Sequence, residues 1–168
     1  GLFGDGDEKN VPTITLSTIS LRDENNNQTI TITATLDTPA TSALTLDFSP
    51  TGSATEGTDY STINSISISL GDLTGTTEFT LIDDSIYEGD ETIVLAVNTT
   101  SSVGSFNISL TPIISIIENE SAPVVTLSTS ATSIAEDAGS SLTLTATLSF
   151  ILVFKEPSFS YAHVICSC

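Results

Sequence analysis

From residue 13 onward, apolar side chains recur on alternate positions, most often with Thr or Ser between them. Ile14 and Leu16 alternate this way, as do Ile30, Ile32, Ala34 and Leu36, then Leu44, Leu46 and Phe48. The pattern returns at Ile66, Ile68 and Leu70, at Phe79 and Leu81, at Ile93, Leu95 and Val97, and at Phe106, Ile108 and Leu110. A period of two buries one face of an extended strand and leaves the other to solvent. Thr suits the outer face because β-branching favours extended backbone. No stretch of useful length carries the 3.6-residue period of a helix. Seven strands at near-regular spacing, with Gly or Pro at the turns, predict an all-β fold: a seven-stranded antiparallel immunoglobulin-like Greek-key sandwich.

The pattern also repeats at long range. Pro12-Thr13-Ile14-Thr15-Leu16-Ser17-Thr18 returns as Pro123-Val124-Val125-Thr126-Leu127-Ser128-Thr129, and Ile30–Leu36 returns as Leu142–Leu148. Between the two matches, Glu24 aligns with Glu136. Two matches in order at nearly one offset indicate a tandem array. The expected divisions are residues 1–11 as the end of a preceding segment, 12–120 as a complete sandwich, 121–149 as the first two strands of a second, truncated repeat, and 150–168 as a tail foreign to the repeat. Two strands lack the partners for independent stability, so the second copy is expected to dock on the first or to stay poorly ordered. The tail holds Phe150-Ile151-Leu152-Val153-Phe154, the single His163, and both cysteines, Cys166 and Cys168. Its apolar run is far short of the ~18 residues of a membrane span. With one residue between them, the cysteines make a poor disulfide or metal pair. The chain has no Met, even at position 1, and is read as a piece of a longer or processed product.

Charge changes the picture more than length does. The chain carries 21 Asp and Glu against 3 Lys and Arg, a net charge of −18. Such a field repels phosphate backbones and anionic membranes, so neither nucleic acid nor direct membrane insertion is expected. A hydrophobic fraction of 39% argues against disorder. Five of the acids fall within Asp83-Asp84-Ser85-Ile86-Tyr87-Glu88-Gly89-Asp90-Glu91, a connection between two strands where turn residues are the usual choice. Carboxylates so crowded repel each other unless a cation sits among them. The chain has almost none of its own, and oxygen-only ligands point to an external calcium ion.

Three further acidic sets sit at strand boundaries: Asp23-Glu24 before the second strand, Gly57-Thr58-Asp59-Tyr60 before the fourth, and Glu118-Asn119-Glu120 at the end of the last. In an antiparallel sandwich alternate connections share an end, so all four sets can converge at one pole.

These residues carry a resemblance. Ala54-Thr55-Glu56-Gly57-Thr58-Asp59-Tyr60, then Gly71, then Ile82 through Glu91, resembles the Calx-β domain, over residues 12–120 in full and over a partial second copy. The resemblance implies Asp59, Asp83, Asp84 and Glu88 as side-chain calcium ligands and Ile86 as a main-chain carbonyl ligand. Glu24 corresponds to the acid before the second strand, and Glu118 and Glu120 belong to the closing acidic run. Two departures stand out. Glu-Asn-Glu replaces a run of three Asp, and Ser85 replaces a frequent Asp; both imply weaker binding or fewer ions. Asp90 and Glu91 are expected to support the site rather than to ligate.

Catalysis has no foothold. His163, the only histidine, lies in the foreign tail, so nucleophile–base arrangements lack a base within the sandwich. The sequons at Asn27, Asn98, Asn107 and Asn119 are the kind that Ser/Thr-rich sequence produces by chance. The reading is a non-enzymatic, calcium-binding repeat of a larger extracellular or cell-surface protein, serving adhesion or calcium-stiffened spacing. Its expected partners are neighbouring Calx-β repeats in the same chain and cell-surface or matrix ligands. A metal-independent spacer is the alternative. A carbohydrate-binding module is weaker, because three Tyr and no Trp are available to stack on sugars.

Overall fold

The computed structural model describes residues 11–136, 139 and 141–149. Nearly all of the expected leading segment 1–11, and the whole tail 150–168 with His163, Cys166 and Cys168, lie outside the described residues. Those described fall into two units. The first runs to Asp84 and resumes from Glu88 to Asn119; the second holds Ser85–Tyr87 and the residues from Glu120 on. Among the described residues, no helix is long and apolar enough to cross a membrane.

The first unit contains β1 (Thr13–Ser17), β2 (Leu21–Asp23), β3 (Thr29–Leu36), β4 (Leu44–Leu46), β5 (Ile66–Ile68), β6 (Thr74–Thr80), β7 (Glu91–Val94), β8 (Asn107–Ile108) and β9 (Ile113–Ile117). One sheet has the order β6-β3-β1-β8; facing strands form β2-β9-β7 and the β4-β5 pair. Bridges from Phe48 to Val97 and from Thr51 to Val94 tie the β4 side to the β7 side. A single apolar core lies between the layers. Ile14, Leu16, Ile30, Ile32, Ala34 and Leu36 line it from one sheet, and Leu46, Ile66, Ile68, Ile93, Ile114 and Ile116 line it from the other. Each of the Ile and Leu side chains, withdrawn from water, contributes about 1.5–3 kcal/mol before the cost of ordering the chain. Tyr60 and Phe79 close one region edge-to-face, with ring centroids 5.9 Å apart.

Nine segments correspond to seven strands because two are broken. β1 and β2 are halves of one strand that leaves the first sheet and joins the second, and β8 and β9 do the same beside them. β1 pairs parallel with β8, and β2 pairs parallel with β9. The antiparallel expectation therefore holds for every named pairing except these two. The alternation mispredicts two residues at such boundaries. Leu70 lies in the turn after β5, and Leu110 lies where the chain changes sheets; both are exposed.

The second unit is a hairpin of β10 (Val125–Thr129) and β11 (Leu144–Leu148). Its register reproduces that of β1 with β3. Ile14↔Leu36, Leu16↔Ala34 and Ser17↔Thr33 become Val125↔Leu148, Leu127↔Ala146 and Ser128↔Thr145. The closure is reproduced as well. In the first unit the Asp37 amide donates to the Thr13 carbonyl, and Thr13 N donates to Asp37 Oδ1. In the hairpin the Ser149 amide donates to the Val124 carbonyl, and Val124 N donates to Ser149 Oγ.

Candidate metal centre

Four stretches of the first unit build an acidic pole. The first follows β2, where the Glu24 amide donates to the Ile117 carbonyl at 3.1 Å and extends the parallel ladder by one residue. This turns Glu24 inward, and it is 7% exposed. The chain then reverses through Asn26 and Asn27, both at positive φ, a conformation that Asn tolerates better than most residues.

The second stretch is the loop Thr55–Tyr60. Asp59 folds back on it: its amide donates to the Thr55 carbonyl, and its Oδ2 accepts the Thr55 amide at 2.5 Å. The Gly57 amide donates to the Tyr60 carbonyl at 2.7 Å. Tyr60 bridges to Leu81, and the Ile82 amide donates to the Asp59 carbonyl. Asp59 is thereby fixed beside the segment that leads into the acidic connection, and it is 2% exposed. Burial, and then the charges of Glu56 and Asp59, push the Tyr60 phenol above its usual pKa.

The third stretch is the acidic connection itself. Asp83 braces it against the first: its amide donates to Asn27 Oδ1, and its Oδ2 accepts the Asn26 amide at 2.8 Å. Its other oxygen accepts Asn119 Nδ2 at 3.1 Å. The fourth stretch leaves β9, where Glu118 Oε2 accepts the amides of Glu88 at 2.5 Å and Gly89 at 2.8 Å. In return the Glu118 amide donates to Asp90 Oδ1.

Two groups of three carboxylates, each with ligand oxygens within 4.8 Å of one another, are made entirely from first-unit residues. One is Glu24, Asp84 and Glu88; the other is Asp59, Glu88 and Glu91. Glu88 belongs to both. Glu118 also has a carboxylate oxygen within 4.8 Å of Glu24. The expected ligands Glu24, Asp59, Asp84, Glu88 and Glu118 are thus brought to one pole. Asp83 stands in neither trio and spends its oxygens on Asn26 and Asn119. Ile86 and Glu120 fall in the second unit. Glu91, expected to support the site, completes a trio. Its spacing of three from Glu88, across the Gly89 turn, is the signal that could have found it.

This donor set suits a hard divalent cation. Every ligand atom is a carboxylate oxygen, and two of the carboxylates lie below the surface. Two like charges about 4 Å apart repel by about 1 kcal/mol in water and about 4 kcal/mol at the effective dielectric near a protein surface. Between residues 11 and 149 the only Lys or Arg is Arg22, so the sequence offers little internal compensation.

No protein-family model and no curated protein matches the chain. Solved structures do. The apo-form Calx CBD1 domain aligns with 63% of this chain and 97% of its own length, at 16% identity and a TM-score of 0.49. CBD12 from CALX1.2 aligns with 64% of this chain at 14% identity and a TM-score of 0.50. The calcium binding domain CBD12 of CALX1.1 aligns with 65%, at 14% identity and a TM-score of 0.50. The matched part of this chain spans 45% and 44% of those last two structures. The fold is therefore a β-sandwich of the Calx-β kind.

Proposed function

We propose that the first unit is a calcium-binding module of a larger extracellular or cell-surface protein, and that it stiffens or spaces that protein rather than catalysing a reaction. The observation that carries this reading is the pair of carboxylate trios sharing Glu88, with Asp59 and Glu24 buried. Calcium accepts about 6–8 oxygens in irregular geometry, which loop carboxylates supply more readily than the strict octahedron that magnesium demands. Glu24, Asp84 and Glu88 would hold one ion, and Asp59, Glu88 and Glu91 a second. When bound, calcium supplies the positive charge that lets these four stretches lie together without mutual repulsion. Likeness to one structure described as a calcium binding domain supports the choice of ion. Neighbouring repeats of the same fold extend the reading to the parent protein, with the repeated hairpin register as their support; adhesion and a surface location are part of the proposal for that parent protein.

Thermal melting with and without calcium tests it. At a hundredfold excess over Kd, binding stabilises the folded state by about 2.7 kcal/mol, or a rise of about 10–20 °C for a domain of roughly a hundred residues. A midpoint unchanged at millimolar calcium would instead favour the metal-independent spacer.

A further inference from the structure

We infer that Arg22 is the resident counter-cation of the acidic pole: it steadies the pole when no metal is bound and opposes a metal that binds there. The ladders of the first unit fix its place. Arg22 of β2 pairs with Ile116 of β9, and Ile116 pairs in turn with Glu91 of β7. Directly paired residues point to the same side of a sheet. Ile116 belongs to the core, so Arg22 and Glu91 both stand on the core-facing side. One row nearer the core, Ile93 pairs with Ile114, each 0% exposed. One row further out lies Glu24, two residues along from Arg22 and therefore on the same face. A carboxylate oxygen of Glu24 comes within 4.8 Å of one on Glu118. Along this face the order is aliphatic, then Arg22, then carboxylates.

An arginine in this row is costly. The side chain is half-buried, and its Nε is shut off from water with no hydrogen-bond partner. A buried donor without an acceptor costs free energy, and a buried charge costs more unless opposite charge compensates it. An aliphatic residue would fill the row as Ile93 and Ile114 fill the next, with neither cost. The field of the carboxylates offsets it. At Cβ, Glu24 is about 7 Å away along the strand and Glu91 about 10 Å away across two strand spacings. Glu24 belongs to one carboxylate trio and Glu91 to the other, so one guanidinium serves both. It is the only Lys or Arg between residues 11 and 149, and its charge is permanent. A divalent cation held by either trio meets this fixed positive charge beneath it. That consequence alone rests on the calcium reading above; the steadying of the metal-free pole does not.

Two substitutions in the full 168-residue chain test this. Arg22→Met keeps an unbranched apolar stem and loses the charge, while Arg22→Lys keeps the charge. Without calcium, Arg22→Met should lower the melting midpoint, and Arg22→Lys should recover most of the loss. Adding Glu24→Gln should shrink the effect of Arg22→Met by about half, because one of the coupled partners is then gone. Titration calorimetry should give Arg22→Met a calcium Kd about tenfold lower than that of the unmodified chain, since a nearby like charge has been removed. A packing role alone would leave that Kd where it was. A metal-free midpoint that is unchanged or raised in Arg22→Met overturns the inference. So does a loss that Arg22→Lys fails to recover, or a calcium Kd that stays the same or rises. Should calcium bind to neither protein, the calcium reading fails, and the metal-free midpoints still decide for or against Arg22.

Discussion

Glu118 holds the backbone of Glu88: its Oε2 accepts the Glu88 amide at 2.5 Å and the neighbouring Gly89 amide at 2.8 Å. One acid thus sets the position of the acid common to both trios. Hydrogen bonds to a charged acceptor are worth about 1.5–3 kcal/mol. Glu118→Ala should lower the melting midpoint without calcium and also weaken calcium binding, both readable by calorimetry. Glu118→Gln keeps an acceptor oxygen and should recover most of the calcium-free stability.

Glu88→Gln should damage calcium binding more than any other single substitution among these acids. It removes one charge from two trios, whereas Glu24→Gln and Glu91→Gln each touch one of the two. Titration calorimetry separates the cases. Glu88→Gln should reduce both stoichiometry and affinity, while Glu91→Gln should spare the group around Glu24. Equal losses from all three substitutions would argue against a shared ligand.

Asp59→Asn should raise stability without calcium and shrink the stabilisation that calcium provides. The amide retains an oxygen to accept from Thr55 N, so the turn survives while repulsion with Glu88 and Glu91 falls. The measurement is the melting midpoint of both proteins with and without the ion. A lower midpoint in both conditions would mean that the charge itself holds the loop.

Gly89→Ala tests backbone rather than charge. Gly89 has φ +82, and a Cβ there meets nothing within 4 Å, so the penalty is conformational alone. Left-handed backbone costs a residue with a Cβ about 1–2 kcal/mol. Chemical denaturation should show a loss of that size, with weaker calcium binding because the Glu118 clamp sits on this turn.

Away from the pole, Asp47 gives a pH signature. Hydrogen bonds from Ser65 and then Ser101 hold its pKa below the ordinary carboxylate value. A depressed folded-state pKa contributes stability above the unfolded value, lost as pH falls through the folded one. Asp47→Asn should therefore flatten the part of the acid limb below about pH 4, as followed by thermal melting at a series of acid pH values.

Much of this was legible because the core positions are apolar and the outer ones are not. Ile30 through Leu36, with Leu44, Leu46, Ile66, Ile68, Ile93 and Leu95, declare their faces by alternation, and each inward member is buried. The passage of β1 into β2 was not legible. There the inward positions become Arg22 and Glu24, so the hydrophobic period ends just where the strand changes sheets. The acidic pole was legible in outline, because acids at strand boundaries recur along the chain. The division of labour within it was not. Asp83 and Asp84 are chemically identical neighbours, and which of them braces and which faces Glu24 depends on where Asn26 and Asn119 place their donors.

The broken strands have a mechanical consequence. In the first unit, β1 enters beside β8 and β9 leaves beside β2, each pair running in the same direction. Tension applied between Pro12 and Asn119 would load both sets of hydrogen bonds in shear, so that they yield together rather than unzipping one at a time.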